Sequence, residues 1–246
     1  IQLPAGQITS SISSVLFSSF SKIQKDTSKV RKAYLLSLEF LGLFVFPFAF
    51  SCSGSAREVV LVILGERWID AIPVLRIVSI GIAYIYLNNI NGISFEAMGW
   101  LGEKTAIVIV RLLTITMALI IGFRFGLVGV SWATCIVSFI FYLVCIFVIR
   151  NKLKTKSSDL LKINLKLLLL GIVAFSLTYM TSMIANKLDV NIYITFLIEL
   201  IFGGLLLVYV VMINPSRNII LFINKYDFQV EKANNSTILI FIENRY

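Results

Sequence analysis

Apolar and polar positions along this chain fall into long blocks, with none of the two-residue alternation of a half-buried strand. Apolar stretches run at 33–53, 73–95, 105–122, 127–149, 160–183 and 190–213. Each is about 20 residues long, the length that crosses a hydrocarbon core about 30 Å thick. A segment in lipid must satisfy its backbone amides internally, so each block is expected to be a helix, and nothing shows the pattern of barrel strands. Pro4 to Phe20 is moderately apolar and Ser-rich, and Lys22, Lys25, Lys29, Arg31 and Lys32 follow it. It reads as the tail of a further span whose beginning is missing. The expected fold is therefore all-α: a polytopic helical membrane protein with about six full spans and a partial one. Residues 1–213 form its transmembrane lobe and 214–246 a cytoplasmic tail.

Composition agrees. Of 246 residues, 58% are apolar and 14% charged, with a mean hydropathy of +0.92, whereas a soluble domain carries about 25% charged residues. The chain opens at Ile1, without the basic segment, short apolar run and cleavage site of a signal peptide. It is expected to be a piece cut from a longer protein. Cys52, Cys135 and Cys145 lie singly in apolar segments, which predicts small packing residues rather than disulfides or metal ligands. The absence of histidine removes the commonest metal ligand and acid/base group. No cofactor and no metal is expected.

Basic residues orient the spans, because loops rich in Lys and Arg are retained in the cytoplasm. Alternate loops, at 22–32, 96–104, 150–166 and 214–246, hold most of them, including Arg150, Lys152, Lys154, Lys156, Lys162 and Lys166. The opposite loops hold only Arg57, Arg67, Arg76, Arg124 and Lys187. This predicts a cytoplasmic C-terminus and makes the net charge of +9 a signal for orientation and anionic lipid; nucleic acid is not an expected partner. After Asn214-Pro215-Ser216 ends the last span, Arg217 to Phe228 suits an interfacial helix with Ile219, Ile220, Phe222 and Ile223 on its apolar side. The sequon Asn235-Ser236-Thr237 is expected to be a chance match on a cytoplasmic tail.

No catalytic constellation can be assembled, so the informative groups are polar ones placed where lipid penalises them. Arg111 lies about a third of the way into its span, where a guanidinium seeks a carboxylate, phosphate or water. It either faces a hydrated cavity and binds an anionic substrate group or snorkels to the headgroups. Glu39 and Glu199 lie within spans as partners for a basic group or as proton carriers. Asn88, Asn89 and Asn91 form a polar knot that either meets sugar hydroxyls or joins helices. Ser10, Ser14, Ser18 and Ser21 form a small polar stripe, and Gly126 and Gly129 mark close helix packing. Arg111, Asn88, Asn91 and Glu39 are the candidate cavity residues.

Several runs resemble a known family. Leu64-Gly65-Glu66-Arg67-Trp68, with Ala71, Pro73 and Leu75-Arg76-Ile77, is similar to the "LLGxxWxxAxPxLRIL" stretch of polysaccharide-exporting flippases in the multidrug/oligosaccharidyl-lipid/polysaccharide superfamily. Leu3-Pro4, Leu16-Phe17, Ser21 and Asp26 resemble that family's "LPxxIxxVLFPxxSxxQxD" segment. Ala97-Met98-Gly99 with Gly126 and Gly129 resembles its "AxG…GxxG" spacing. Ser18 stands where the family usually has proline, and Trp100 replaces a frequent basic residue. The resemblance implies the C-terminal lobe of a two-lobed carrier with two extra terminal helices, the N-terminal half being its missing partner. It implies transport by alternating access, without catalysis, of undecaprenyl-pyrophosphate-linked oligosaccharides across the bacterial inner membrane. The alternatives are a cation-coupled multidrug antiporter of the same superfamily and a membrane glycan polymerase or ligase; short external loops without a catalytic set disfavour the enzyme.

Overall fold

A computed structural model describes residues 16–213, 226–233 and 236–243, with side-chain surroundings as far as residue 206. A helical segment, α1, covers 16–23. It is followed by α2 (Thr27–Gly54), α3 (Ala56–Val59), a π turn (Val60–Leu64), a 3-10 segment (Glu66–Ala71), α4 (Ile72–Ala97), α5 (Leu101–Phe123), α6 (Gly126–Leu153), α7 (Ser157–Lys187) and α8 (Ile192–Ile213). Among the described residues, five helices are long and apolar enough to cross a membrane, and α8, apolar over Ile192–Leu206, continues the series. The six expected spans are present as helices; the first five are longer than their apolar blocks because polar residues at the ends keep helical geometry, and α8 begins two residues inside its block. The expected partial span lies mostly outside the described residues, as do Ser10 and Ser14 of the serine stripe. The interfacial helix expected at Arg217 to Phe228 lies outside them as far as residue 225.

The tail departs from the all-helical expectation. Tyr226–Ala233 and Ser236–Glu243 form two antiparallel strands, β1 and β2, with Ala233 opposite Ser236 and Tyr226 opposite Glu243. Tyr226 to Phe228, assigned above to an interfacial helix, thus begin a strand. The β-branched run in Ser236–Glu243 favours an extended chain that pairs across strands, a preference hidden by reading the tail for helical periodicity alone.

Within the bundle, α2 is central. It packs along α7 and α4 and touches α8, while α6 lies against both α4 and α5. Close approach rests on glycine. A Cβ at Gly42 would collide with the Leu167 side chain, one at Gly54 would meet Thr178 and the Phe175 carbonyl, and one at Gly171 would lie 3.0 Å from the Phe50 ring. These contacts fit α2 against α7 along their length. Gly81 does the same against Cys135, joining α4 to α6. Gly122 and Gly129 face each other backbone to backbone across the α5–α6 turn. Phe46, Tyr84, Phe139 and Tyr142 fill the space between α2, α4 and α6, with Tyr84 edge-on to Phe46 at 5.5 Å and to Phe139 at 5.0 Å; offset and edge-on rings are the favoured aromatic contacts.

The ends of the bundle account for the family-like motifs. Asp26 caps α2, accepting from the Ser28 and Lys29 amides at 3.0 and 3.1 Å. The Lys29 amide hydrogen bond holds its carboxyl below the usual carboxylate range despite some desolvation. Gly99 adopts a left-handed φ of 71°, which lets the Trp100 amide close the end of α4 on the Phe95 carbonyl at 2.8 Å. At the opposite end Gly65 has φ 86° and ψ 173°, a region open essentially to glycine. There the chain leaves the π turn and enters the 3-10 segment. Pro73 then stands in the first turn of α4, where a missing amide costs nothing. Arg76 ties this corner down: its Nε donates to the Ser53 carbonyl at 3.3 Å and its guanidinium lies 5.4 Å from the Tyr179 ring.

Helix contact through glycine gives a paired expectation. Gly129→Ala forces the α5 and α6 backbones apart and should destabilise the protein by about 1–3 kcal/mol. Gly92 lies in α4 with nothing within 4 Å of a new Cβ, so Gly92→Ala should stabilise by about 0.5–1 kcal/mol. Thermal unfolding in detergent or nanodiscs reads both; equal shifts would contradict the packing argument.

Candidate functional site

Polar side chains inside the bundle gather in two places. The first is a seam nearer the end that holds the start of α2. Tyr34 on α2 donates its hydroxyl to Asn91 Oδ1 at 2.8 Å. Asn91 Nδ2 donates to Asn88 Oδ1 at 3.2 Å, and Asn88 Nδ2 reaches the Ser138 carbonyl on α6 at 3.4 Å. Tyr142 donates to Asn164 on α7 at 2.6 Å. Glu39 accepts from Lys166 Nζ at 2.8 Å, an ion pair between α2 and α7 that retains some exposure. A carboxamide or phenol in lipid is costly unless partnered, and here the partners lie on neighbouring helices.

Three of the four candidate residues belong to this seam. Asn91 is 0% exposed and its carboxamide is occupied by Tyr34 and Asn88. Asn88 is half-buried and Glu39 is paired with Lys166. Tyr34, Asn164 and Tyr142 are seam members that the sequence did not single out; a tyrosine within an apolar run carries no sign of which helix its hydroxyl will meet. The hydroxyl of Ser94, by contrast, turns back to the Ile90 carbonyl of its own helix at 2.8 Å.

Arg111 stands apart. It lies ten positions after the first residue of α5, about 15 Å along the axis, deeper than the apolar block alone indicated because the helix starts at Leu101. Its side chain is half-buried, and among the described residues no carboxylate lies within ion-pair distance of it. Cys145 on α6 is within electrostatic range. Gly122 is the one fully buried residue of α5, so most of this helix presents an uncovered apolar surface that includes Val110, Leu112 and Leu113.

The second polar cluster lies at the opposite end. Glu58 on α3 is 1% exposed, with Oε1 accepting from Ser182 on α7 at 2.5 Å and Oε2 unpartnered. Glu199 on α8 is 3% exposed and neither of its carboxylate oxygens has a partner. Nearby, Arg57 donates to Asn186 at 2.8 Å. Glu199 was marked by its place within a span. Glu58 was not, because it follows a Ser-rich helix end that reads as a loop; the π turn and α8 bury it. Among the described residues no three His, Cys, Asp or Glu side chains gather into a metal-binding group.

At the end bearing the start of α2, charges pair across the helix ends. Lys104 meets Glu96 and Lys152 meets Glu103, and Lys152 also lies 5.5 Å from the Trp100 ring. Arg31 Nε donates to the Leu153 carbonyl at 2.8 Å, closing the C-terminus of α6 with a cation where the helix dipole favours one. The basic loops at 22–32, 96–104 and 150–157 therefore share one end of the bundle.

Comparison with known proteins matches the motif resemblance. A family model described as "Polysaccharide biosynthesis protein" matches residues 1–73. The chain is 23% identical over 207 residues to the teichuronic acid biosynthesis protein TuaB of Bacillus subtilis, covering 79% of this chain and 41% of that protein. It is 32% identical over 78 residues to the lipopolysaccharide biosynthesis protein WzxC of Escherichia coli, covering 32% of this chain and 16% of that one. Its fold matches the lipid II flippase MurJ in an inward closed conformation, with a TM-score of 0.66 and 21% identity, over 89% of this chain and 45% of MurJ. The chain thus resembles polysaccharide-biosynthesis proteins in sequence and MurJ in fold, and it is a multi-pass helical membrane protein. It spans less than half the length of these relatives.

Because Tyr34 supplies a partner that lipid cannot, Tyr34→Phe should cost about 0.6–1.7 kcal/mol, the range for hydrogen bonds between membrane helices. Thermal unfolding measures it, and no loss of stability would remove the seam as a helix tie.

Proposed function

We propose that this chain forms the C-terminal lobe of a two-lobed flippase that moves lipid-linked oligosaccharide or polysaccharide repeat units across the bacterial inner membrane. The observation that carries this reading is the fold match to less than half of a flippase. The motif at Gly65 to Ile77 supports it independently. A bulky polar head cannot pass through hydrocarbon at tolerable cost, so a carrier of this kind encloses it in a hydrated cavity between two lobes and rocks them about it. The uncovered face of α5 suits the boundary with a second lobe, the missing N-terminal half.

In this reading Arg111 binds the pyrophosphate or an acidic sugar of an undecaprenyl-pyrophosphate-linked substrate. A guanidinium suits that role because it stays charged and offers a planar fork of donors to phosphate oxygens. Asn88, Asn91 and Glu39 act one step behind, fixing α2, α4, α6 and α7 so that the cavity wall keeps its shape. The chain acts as a transporter and not as an enzyme.

Arg111→Ala in the full-length protein should abolish restoration of surface glycan in a flippase-null strain while leaving protein levels normal, and Arg111→Lys should restore it in part. Unchanged surface polysaccharide would take Arg111 out of the mechanism. If the wild type restores no glycan but drives cation-dependent dye efflux, the multidrug antiporter replaces the flippase.

Orientation follows from the shared basic end, which belongs on the cytoplasmic side. Residues 214–246 then form a cytoplasmic tail bearing the β1–β2 hairpin. A fluorescent protein fused after Tyr246 should fluoresce and a periplasmic reporter enzyme at the same site should be inactive; the reverse result would invert the topology.

A further inference from the structure

Glu58 and Glu199 come from helices distant in sequence, yet α8 packs against α2, α3 and the π turn and brings the two carboxyls within electrostatic range of each other. Glu199 lies seven residues beyond the first residue of α8, about 10 Å along its axis, surrounded by protein. Both carboxyls are almost fully buried, and three of their four oxygens have no hydrogen-bond partner among the described residues.

Two like charges in a low-dielectric site cannot both persist without compensation. The surrounding elements offer none among the described residues. Arg57 is engaged by Asn186, and Arg76 by the Ser53 carbonyl and the Tyr179 ring. Cys52 and Tyr179 supply no positive charge, and Lys187 is exposed at the end of α7. Among the described residues no basic group lies within ion-pair distance of either carboxylate. A metal ion is poorly served, since hard cations take about six oxygen ligands and two carboxyls with the Ser182 hydroxyl fall short. A proton requires only one oxygen.

We propose that Glu58 and Glu199 form a proton-binding pair between α8 and the α2–α3 corner, holding one proton that resides on Glu199. The two carboxyls differ in the way that assigns the proton. At 2.5 Å the Ser182 hydroxyl donates to Glu58 at a length typical of hydrogen bonds to an ionised acceptor, which favours Glu58 as the carboxylate. Among the described residues Glu199 has no donor to stabilise a charge. Carboxyls whose surroundings differ in this way divide into an acid and a base. The site lies apart from Arg111 and from the polar seam, and its proton binding does not depend on which substrate the carrier moves.

Infrared difference spectroscopy on the full-length protein in nanodiscs tests the pair. At pH 7 the wild type should show a protonated-carboxyl stretch that shifts in deuterated water and is missing from Glu199→Gln. In Glu58→Gln the band should remain but titrate away at a lower pH, because removing the neighbouring negative charge eases ionisation of Glu199. A wild-type spectrum without a band that Glu199→Gln removes would overturn the proposal, and that outcome needs no variant to be active. A midpoint unmoved or raised in Glu58→Gln would overturn the coupling. Loss of the wild-type band on adding sodium chloride at constant pH would assign the site to a metal cation instead.

Discussion

The bundle depends on how closely α2 and α7 approach. In lipid, apolar burial hardly distinguishes a helix partner from hydrocarbon, so association rests on contact between surfaces and on polar groups that need partners. Gly42, Gly54 and Gly171 remove the side chains that would hold these helices apart, and Leu167, Thr178 and Phe50 occupy the space released. With α7 fixed on one side of α2 and α4 on the other, the remaining helices follow: α6 seats on α4 through Gly81 and the Tyr84 cluster, and α5 on α6 through Gly122 and Gly129.

Polar groups refine that arrangement. A hydrogen bond between membrane helices contributes about 0.6 kcal/mol on average, less than a well-packed glycine contact is expected to secure, so the Tyr34–Asn91–Asn88–Ser138 chain selects register and rotation more than it supplies stability. Each of its groups would be orphaned by a rotation of α2 or α4. Glu39 with Lys166 plays the same part between α2 and α7, where leaving either charge unpaired would be the larger penalty.

The two ends of the bundle differ in chemistry. Paired charges, a cation on the α6 carboxyl end and the Asp26 cap make one end a conventional set of charged helix termini. The other is tighter and less conventional. Gly65 permits a backbone turn closed to other residues, Trp68 and Ile69 are exposed on it, and Arg76 latches it to α2 and α7. Beneath that turn lie the two carboxyls, with no basic group within ion-pair distance among the described residues. A motif recognised by its letters thus has separable physical duties: a glycine for the backbone, a proline for the helix start, and an arginine for the corner.

Much of this was legible in the chain of letters. Block length and apolar content determined six helices, because a span must be long enough for the bilayer and must satisfy its own amides. Basic loops marked one end of the bundle, and the motif from Leu64 to Ile77 carried the resemblance to polysaccharide flippases. The β1–β2 hairpin was missed because its strand preference is short and local. Tertiary structure alone decided the polar roles. Asn91 meets Tyr34, Glu39 meets Lys166, and Arg111 meets no carboxylate among the described residues; no spacing in the sequence encodes which helix will face which. Glu58 is the clearest case: its burial is created by α8, more than 130 positions away, because a carboxyl's environment is set by the helices that pack over it.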